Sequence, residues 1–402
     1  MSTIERQCVL SQLPEIIALK KHYDTVITNK STYFKVNEGI ARGRVVIKGE
    51  EKVNYSTYNY LGLTADERVI KFTEEAIEKH GTSVSGSRIL TGEIQLHRML
   101  EREIADVLGV DDAVVFVGGH CTNVNLIGNL VDKHDLVLYD AFAHNSIVQG
   151  SLLSHAKRGH FAHNDMQDLE NKLKRAQGQY RRVLIVAEGI YSMDGDVCDL
   201  PELIRLKKEY GAFLMIDEAH SFGTIGKNGS GITSYFGVDP RDVDILMGTL
   251  SKSVASCGGY IAGNKDFIWY LRYSSPGFIF SCGLSPSNTA AAYKAIEIFS
   301  TDSTQIDKLH DNAEYFLKSV RALGYDTGLS IGTSIVPIII GNSQKTVEIS
   351  NRLYDMGVNA LPIIHPAVKE NEARIRFFMS ADHTREDLDK TINALRVIKE
   401  EA

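Results

Sequence analysis

The stretch VLIVAEGIYSMDGDVCDLPELIRLKKEYGAFLMID, residues 183–217, carries the pattern on which the fold turns. Its two ends, VLIVAE (183–188) and FLMID (213–217), are near-continuous apolar runs. Between them LPELIRLKKEYG (200–211) has the amphipathic spacing of a surface helix. Runs that are apolar throughout, rather than alternating, belong to strands covered on both faces, and such sheets are largely parallel. The same pattern continues outward. AVVFV (113–117) and LVLY (136–139) come before this unit, and DILMG (244–248) and GYIAG (259–263) come after it. The chain from about Asp111 to Ala262 therefore reads as α/β.

Beyond Pro286 the character changes. A helix-like NTAAAYKAIEIF (288–299) leads to strand-like SIVPIII (334–340) and amphipathic KTVEISNRLYDMG (345–357). Strand-like ARIRFFMS (373–380) and a last helix, REDLDKTINALRVIKE (385–400), complete what reads as a smaller α+β lobe. At the other end, IIALKKHYDTVITNKSTYF (16–34) reads as a helix running into an extended stretch. The expected division is an N-terminal helix and extended segment over 1–50, a large domain over 51–295 and a small domain over 296–402.

Bulk composition excludes several classes of function. The 402 residues are 43% hydrophobic and 24% charged, ordinary for a globular protein. A formal net charge of −7 offers no electrostatic drive toward nucleic acid or anionic membranes. The five cysteines (Cys8, Cys121, Cys198, Cys257 and Cys282) are odd in number and form no CxxC pair. Neither a disulfide framework nor a metal site is expected, and a reducing cytoplasm suits them. The first thirty residues hold no apolar signal core, and no run approaches the roughly 20 apolar residues of a membrane span. A soluble, cytoplasmic protein is expected.

Open α/β sheets bind ligands beyond the carboxyl ends of their strands, so the residues after each run matter most. After AVVFV comes GGHCTNVN, whose glycines open a helical pattern. That suits backbone N–H groups aimed at a phosphate, and equally a plain strand-to-helix turn. It is neither a GxGxxG nor a P-loop sequence. DAFAHNS follows LVLY and brings His144, which is either structural or functional. GIYSMDGDVCDL follows VLIVAE with Ser192 and Asp194, where turn chemistry alone is an alternative. DEAHSFG brings Asp217, costly to bury as an ion without a partner or else a helix cap, and His220. Thr249 and Lys252 follow DILMG. A lysine near a buried aspartate and a phosphate cradle suggests pyridoxal 5′-phosphate. That cofactor needs an amine for its Schiff base, a carboxylate for its ring nitrogen and donors for its phosphate.

Seven motifs then occur in one order from about Tyr55 onward. They are YNYLGL (58–63), GTSVSGSRILTGEIQLHRMLE (81–101), HND (163–165), EGIYSMDGD (188–196), DEAHSFGTIG (217–226), GTLSKS (248–253) and ARIRFFMSADHT (373–384). In these the chain resembles the α-oxoamine synthase family of fold-type I pyridoxal-phosphate enzymes. The resemblance implies an α/β fold with a mostly parallel seven-stranded sheet in the large domain and a smaller α+β C-terminal domain. It gives Lys252 the Schiff base and proton transfer, Asp217 the ring nitrogen, His220 the ring oxygen with Ser192 nearby, and His144 the ring face. Gly119, His120, Cys121 and Thr249 would hold the phosphate, joined by Ser281 from the neighbouring subunit of a homodimer with shared sites. Arg376 would bind the amino acid's carboxylate.

The implied reaction is a decarboxylating condensation of an amino acid with an acyl thioester of CoA or an acyl-carrier protein, giving an α-aminoketone. Tyr58, on the substrate side, stands where many members have asparagine, and serine palmitoyltransferases resemble this sequence there. The loop GGHCTN looks more like synthases associated with polyketide assembly lines. Serine palmitoyltransferase itself and a fold-type I aminotransferase are the alternative readings. A non-catalytic subunit of this kind would lack the lysine present here at Lys252.

Overall fold

The computed structural model describes residues 10–26 and 32–401. Cys8 and part of the extended stretch expected after the first helix lie outside them. A hairpin of β1 (Arg44–Ile47) and β2 (Glu50–Asn54) precedes the main sheet. The main sheet contains β3 (Asp112–Phe116), β4 (Leu136–Asp140), β5 (Lys157–Phe161), β6 (Val183–Glu188), β7 (Phe213–Asp217), β8 (Ile245–Thr249) and β9 (Gly259–Gly263). Their spatial order is β3-β9-β8-β7-β6-β4-β5. From β8 to β5 every pairing is parallel, and β9 runs antiparallel to both its neighbours. The sheet is seven-stranded and mostly parallel, as the family resemblance implies; six of its strands are the apolar runs read from the sequence, and β5 is the seventh.

Seven helices in order are α1 (Pro14–Val26), α2 (Glu67–His80), α3 (Gln95–Leu108), α4 (Gly119–Leu130), α5 (Asn145–Leu153), α6 (Met166–Ala176) and α7 (Leu200–Tyr210). The apolar runs are continuous because both faces of the sheet are covered. In β6, Leu184 and Val186 pack with Leu126, Ile127 and Ile147 of α4 and α5. Ile185 and Ala187 face the other way, into the core containing Leu200, Leu203 and Leu206 of α7. Strand alternation thus sends successive residues into two different apolar layers. Local signals in α7 agree with its position. The Asp199 side chain caps it by accepting from the Glu202 amide, Pro201 lies in the first turn, and Gly211 closes it at φ 63°.

In the C-terminal third, β10 (Ile335–Ile339), β12 (Pro362–Ile363) and β13 (Arg374–Phe378) form an antiparallel sheet in the order β10-β13-β12. The short β11 (Val358–Asn359) pairs instead with β2, tying this region to the N-terminal hairpin. Of the helices in this region, Thr304–Ala322 packs on β10, Ser343–Asp355 on β12 and β13, and Arg385–Glu400 on those two helices, whereas Pro286–Thr301 packs on α2 and α3. Among the described residues no helix is long and apolar enough to cross a membrane.

One buried contact fastens the loop after β6 to the end of β4. His163 places Nδ1 2.9 Å from Asp140 and Nε2 2.9 Å from Asp196, with its ring stacked on Phe142 at 4.1 Å. Burial disfavours the charged ring, but the two carboxyl hydrogen bonds outweigh it and push the pKa up from 6.5 to about 9. A raised folded-state pKa stabilises the fold fully below about pH 6.5, and the contribution is lost as pH rises through about 9. That contribution is roughly 3 kcal/mol. Chemical denaturation of wild type should therefore show stability falling between pH 7 and 10, and His163→Gln should remove most of that fall. An unchanged slope in the variant would contradict the assignment.

Candidate active site

The carboxyl ends of the parallel strands converge on a cavity of about 150 Å³. Its wall includes Gly119, His120, Asn123, His144, Glu188, Asp217, His220, Thr249 and Lys252. A larger cavity, about 590 Å³, opens at the opposite end of the sheet among Val110, Leu184, Phe213, Val243, Ile245 and Phe267. That one is mostly apolar, and its arginines and Asp244 have partners: Arg182 pairs with Asp135, Arg241 with Asp239, and Lys207 with Asp244. The smaller cavity holds the amine, two acids and three histidines, so the chemistry belongs there.

Asp217 ends β7 and is 3% exposed. Its Oδ2 accepts from the Asn123 side chain at 2.7 Å and its Oδ1 from the Ala219 amide at 2.9 Å. Asn123 lies in the second turn of α4 and also donates to the Ser146 hydroxyl at 2.9 Å. α4 begins at Gly119, so its first amides have no partner within the helix and face outward from its positive end. A Cβ at Gly119 would stand 2.7 Å from the Thr249 hydroxyl; only a glycine lets the helix start come this close to β8. The Thr249 hydroxyl donates to the Gly258 carbonyl at 3.0 Å and accepts from the Ser251 amide.

Lys252 sits in the short loop joining β8 to β9, a turn in which Ala255 takes φ 55° and its amide bonds back to the Lys252 carbonyl. Among the described residues its Nζ has no hydrogen-bond partner, and it lies 5.4 Å from the centre of the Tyr58 ring. Burial lowers its pKa from 10.5 to about 8, with Asp217 and Glu188 pulling the other way. His220 bonds through Nδ1 to the Tyr60 hydroxyl at 2.8 Å. Burial, reinforced by Lys252 and Arg376, holds His220 well below the ordinary histidine range, so its ring is neutral. His144 caps α5, with Nδ1 2.7 Å from the Ser146 hydroxyl, and burial lowers its pKa too.

Arg376, on β13, enters from the C-terminal sheet. Its Nη1 donates to the Ser192 carbonyl at 2.8 Å, its guanidinium lies over the Phe378 ring at 4.3 Å, and its buried Nε has no partner among the described residues. A guanidinium beside the cavity with an unspent N–H, in a site where burial lowers its pKa, suits a carboxylate. Tyr58 packs on the same Phe378 ring at 4.9 Å.

The structure therefore gathers Gly119, His120, His144, Asp217, His220, Thr249 and Lys252 around one cavity. Tyr58, Ser192 and Arg376 stand beside it, linked by the contacts just given. Cys121 is exposed, and its Sγ donates to the Gly118 carbonyl at 2.9 Å, which leaves only its amide for a phosphate. Ser281 is half-buried, follows the short helix Pro276–Ile279 and does not line this cavity. Four residues of the site were not singled out by reading the sequence: Glu188, Asn123, Ser146 and Tyr60. Only Glu188 carried a signal, since it ends an apolar run as Asp217 does.

The set fits pyridoxal 5′-phosphate. An unpartnered amine, a buried acid and a glycine-opened helix start surround one space, and the buried Asn123 Oδ1 is left without a partner beside it. Comparison with known proteins agrees. Residues 50–395 match the family model for aminotransferase class I and II. The 8-amino-7-oxononanoate synthase of Symbiobacterium thermophilum is 41% identical over 90% of this chain and 91% of its own. The serine palmitoyltransferase of Sphingobacterium spiritivorum is 37% identical over 94% and 96%. A solved serine palmitoyltransferase of Sphingomonas wittichii superposes with a TM-score of 0.92 at 29% identity, covering 98% of each chain. Another, holding pyridoxal phosphate, gives 0.92 at 30% with the same coverage.

The depressed Lys252 amine has a direct readout. In the cofactor-free protein, the rate of labelling of Lys252 by an amine-reactive reagent should rise through a midpoint near pH 8. Replacing Asp217 by Asn should move that midpoint lower. A rate still climbing at pH 10 would show an ordinary, solvated lysine.

Proposed function

The chain belongs to the aminotransferase class I and II family, and we propose that it works there as a pyridoxal-phosphate-dependent α-oxoamine synthase. It condenses an amino acid with an acyl thioester and releases carbon dioxide and a free thiol, leaving an α-aminoketone. The observation that carries this reading is the Lys252 amine, without a hydrogen-bond partner among the described residues, sharing one cavity with Asp217, with the Arg376 guanidinium close by. The likeness to two such synthases over nine tenths of the chain supports it.

Bound pyridoxal phosphate supplies a ring over which negative charge arising at the amino acid's α-carbon can spread. Each residue's part follows from its surroundings. Lys252 Nζ anchors the cofactor at rest and takes the α-proton during turnover. A pKa near 8 leaves part of the amine neutral at pH 7 without making it too weak a base. Asp217, oriented by Asn123 and the Ala219 amide, meets the ring nitrogen. His220 meets the Tyr60 hydroxyl at Nδ1 and, with Tyr60 as the donor, would offer its Nε2–H to the ring oxygen near Ser192. His144, on the cavity wall, would cover one face of the ring. The amides of Gly119, His120 and Cys121 hold the phosphate with the Thr249 hydroxyl, which must swing from the Gly258 carbonyl to do so. Arg376 takes the substrate carboxylate, and Tyr58 borders the space for the amino acid's side chain.

Ser281 fits none of this chain's own cavity, and it follows Phe280, which is 85% exposed. Both features support a homodimer in which Ser281 reaches the partner's phosphate, so light scattering should give twice the chain mass. The thiol carrier is CoA or an acyl-carrier protein.

The test is a panel of amino acids against CoA and carrier-protein thioesters, serine with palmitoyl-CoA included. Carbon dioxide and free thiol should appear in equal amounts with the active pair. A keto acid without carbon dioxide would identify an aminotransferase instead. Arg376→Ala should raise KM for the amino acid on the order of 10- to 100-fold, the worth of a charge-assisted pair, with Arg376→Lys in between. An unchanged KM would mean that another group holds the carboxylate.

A further inference from the structure

Glu188 has no part in the chemistry just described, yet it is built into the cavity wall. It is 2% exposed and closes β6, where its partner across the ladder is Asp217. Its Oε1 accepts the backbone N–H of His144 at 2.6 Å. The His144 ring, in turn, meets the Ser146 hydroxyl at 2.7 Å, and that hydroxyl accepts from Asn123, which also donates to Asp217. Glu188, His144, Ser146, Asn123 and Asp217 thus form a circuit that the β6–β7 ladder closes.

We propose that Glu188 is a positioning residue that, through the His144 amide, fixes the height and tilt of the His144 ring over the cavity. The proposal rests on the role given to His144 above. Geometry favours it over a structural ion pair, because no lysine or arginine is hydrogen-bonded to Glu188 among the described residues. The groups facing it are Asp217 from β7, Asp140 from β4, Tyr191 from the loop after β6, Lys252 from the β8–β9 loop and the His144 amide. Burial first, and then Asp217, push its carboxyl well above the usual carboxylate range. A neutral acid accepts the amide without adding a second negative charge beside Asp217. Any neutral acceptor of the same length should then serve.

Three variants test this: Glu188→Gln, Glu188→Ala and Glu188→Asp. The first readout is amide hydrogen exchange across the segment 141–153 in the cofactor-free protein, which needs no activity. Glu188→Ala should speed exchange at the His144 amide by up to about tenfold, the loss of one hydrogen bond. Glu188→Asp, one methylene short, should also speed it, whereas Glu188→Gln should match wild type. In the loaded enzyme, Glu188→Ala and Glu188→Asp should lower kcat more than they change KM for the amino acid, with Glu188→Gln restoring kcat. Wild-type exchange in Glu188→Asp and Glu188→Ala overturns the proposal, as does Glu188→Gln behaving like Glu188→Asp in both assays. If Glu188→Ala does not fold, the Gln and Asp pair decides alone. Should the exchange pattern appear while wild type condenses nothing, the proposed reaction fails and the hold on His144 stands.

Discussion

The hydrogen bond from Asn123 to Asp217 joins the start of α4 to the end of β7, and most of the site depends on it. A carboxyl as buried as Asp217 is costly unless its oxygens are satisfied, and here a side-chain amide and a backbone amide do so. Satisfying it with a residue of α4 fixes the helix start relative to the strand end. The Gly119 contact with Thr249 fixes the same helix against β8. The spacing between an acid and an anion-binding helix terminus is therefore set by packing rather than by flexible loops. That is the property a cofactor with a ring at one end and a phosphate at the other requires.

Charge is distributed to the same end. Burial depresses the amine of Lys252 and holds His220 neutral, while Glu188 is raised beside Asp217. Burial thus shifts His220, His144 and Glu188 toward their neutral forms, while Lys252, at about 8, still carries its proton for most of the time at pH 7. Neutral donors and acceptors in a low-dielectric site can follow a shifting electron distribution without the penalty of unpaired ions. The Arg376 guanidinium comes from the C-terminal sheet rather than from the strand ends that hold the acid and the amine. In the proposed reaction, substrate carboxylate and cofactor would consequently be held by two different sheets.

The strands β6 and β7 were legible residue for residue, because burial on both faces makes a run apolar throughout and Glu188 and Asp217 punctuate it. β8 begins one residue later than DILMG suggests, since Asp244 spends its side chain on the Leu214 amide, and it extends to Thr249. β5 escaped notice because it is an edge strand whose sequence, KRGHF, faces solvent over most of its length. The antiparallel course of β9 is equally invisible, since a buried strand reads the same in either direction. In the site, Lys252, Asp217 and Thr249 stood out at strand ends. Asn123, Ser146 and Tyr60 did not, because their contacts reach across 94, 23 and 160 residues of sequence. Pattern within a window cannot register such pairs. The roles of Arg376 and Ser281 came from family resemblance, not from any local pattern.

The central claim is that Lys252 and Asp217 together make the amino acid's α-carbon acidic. Exchange of the α-hydrogen with deuterium oxide, followed by NMR without any acyl thioester, tests it most directly. The account predicts exchange in the wild-type holoenzyme with the substrate amino acid, and its loss in Asp217→Ala and in Lys252→Ala. Exchange persisting at the wild-type rate in either variant would contradict it.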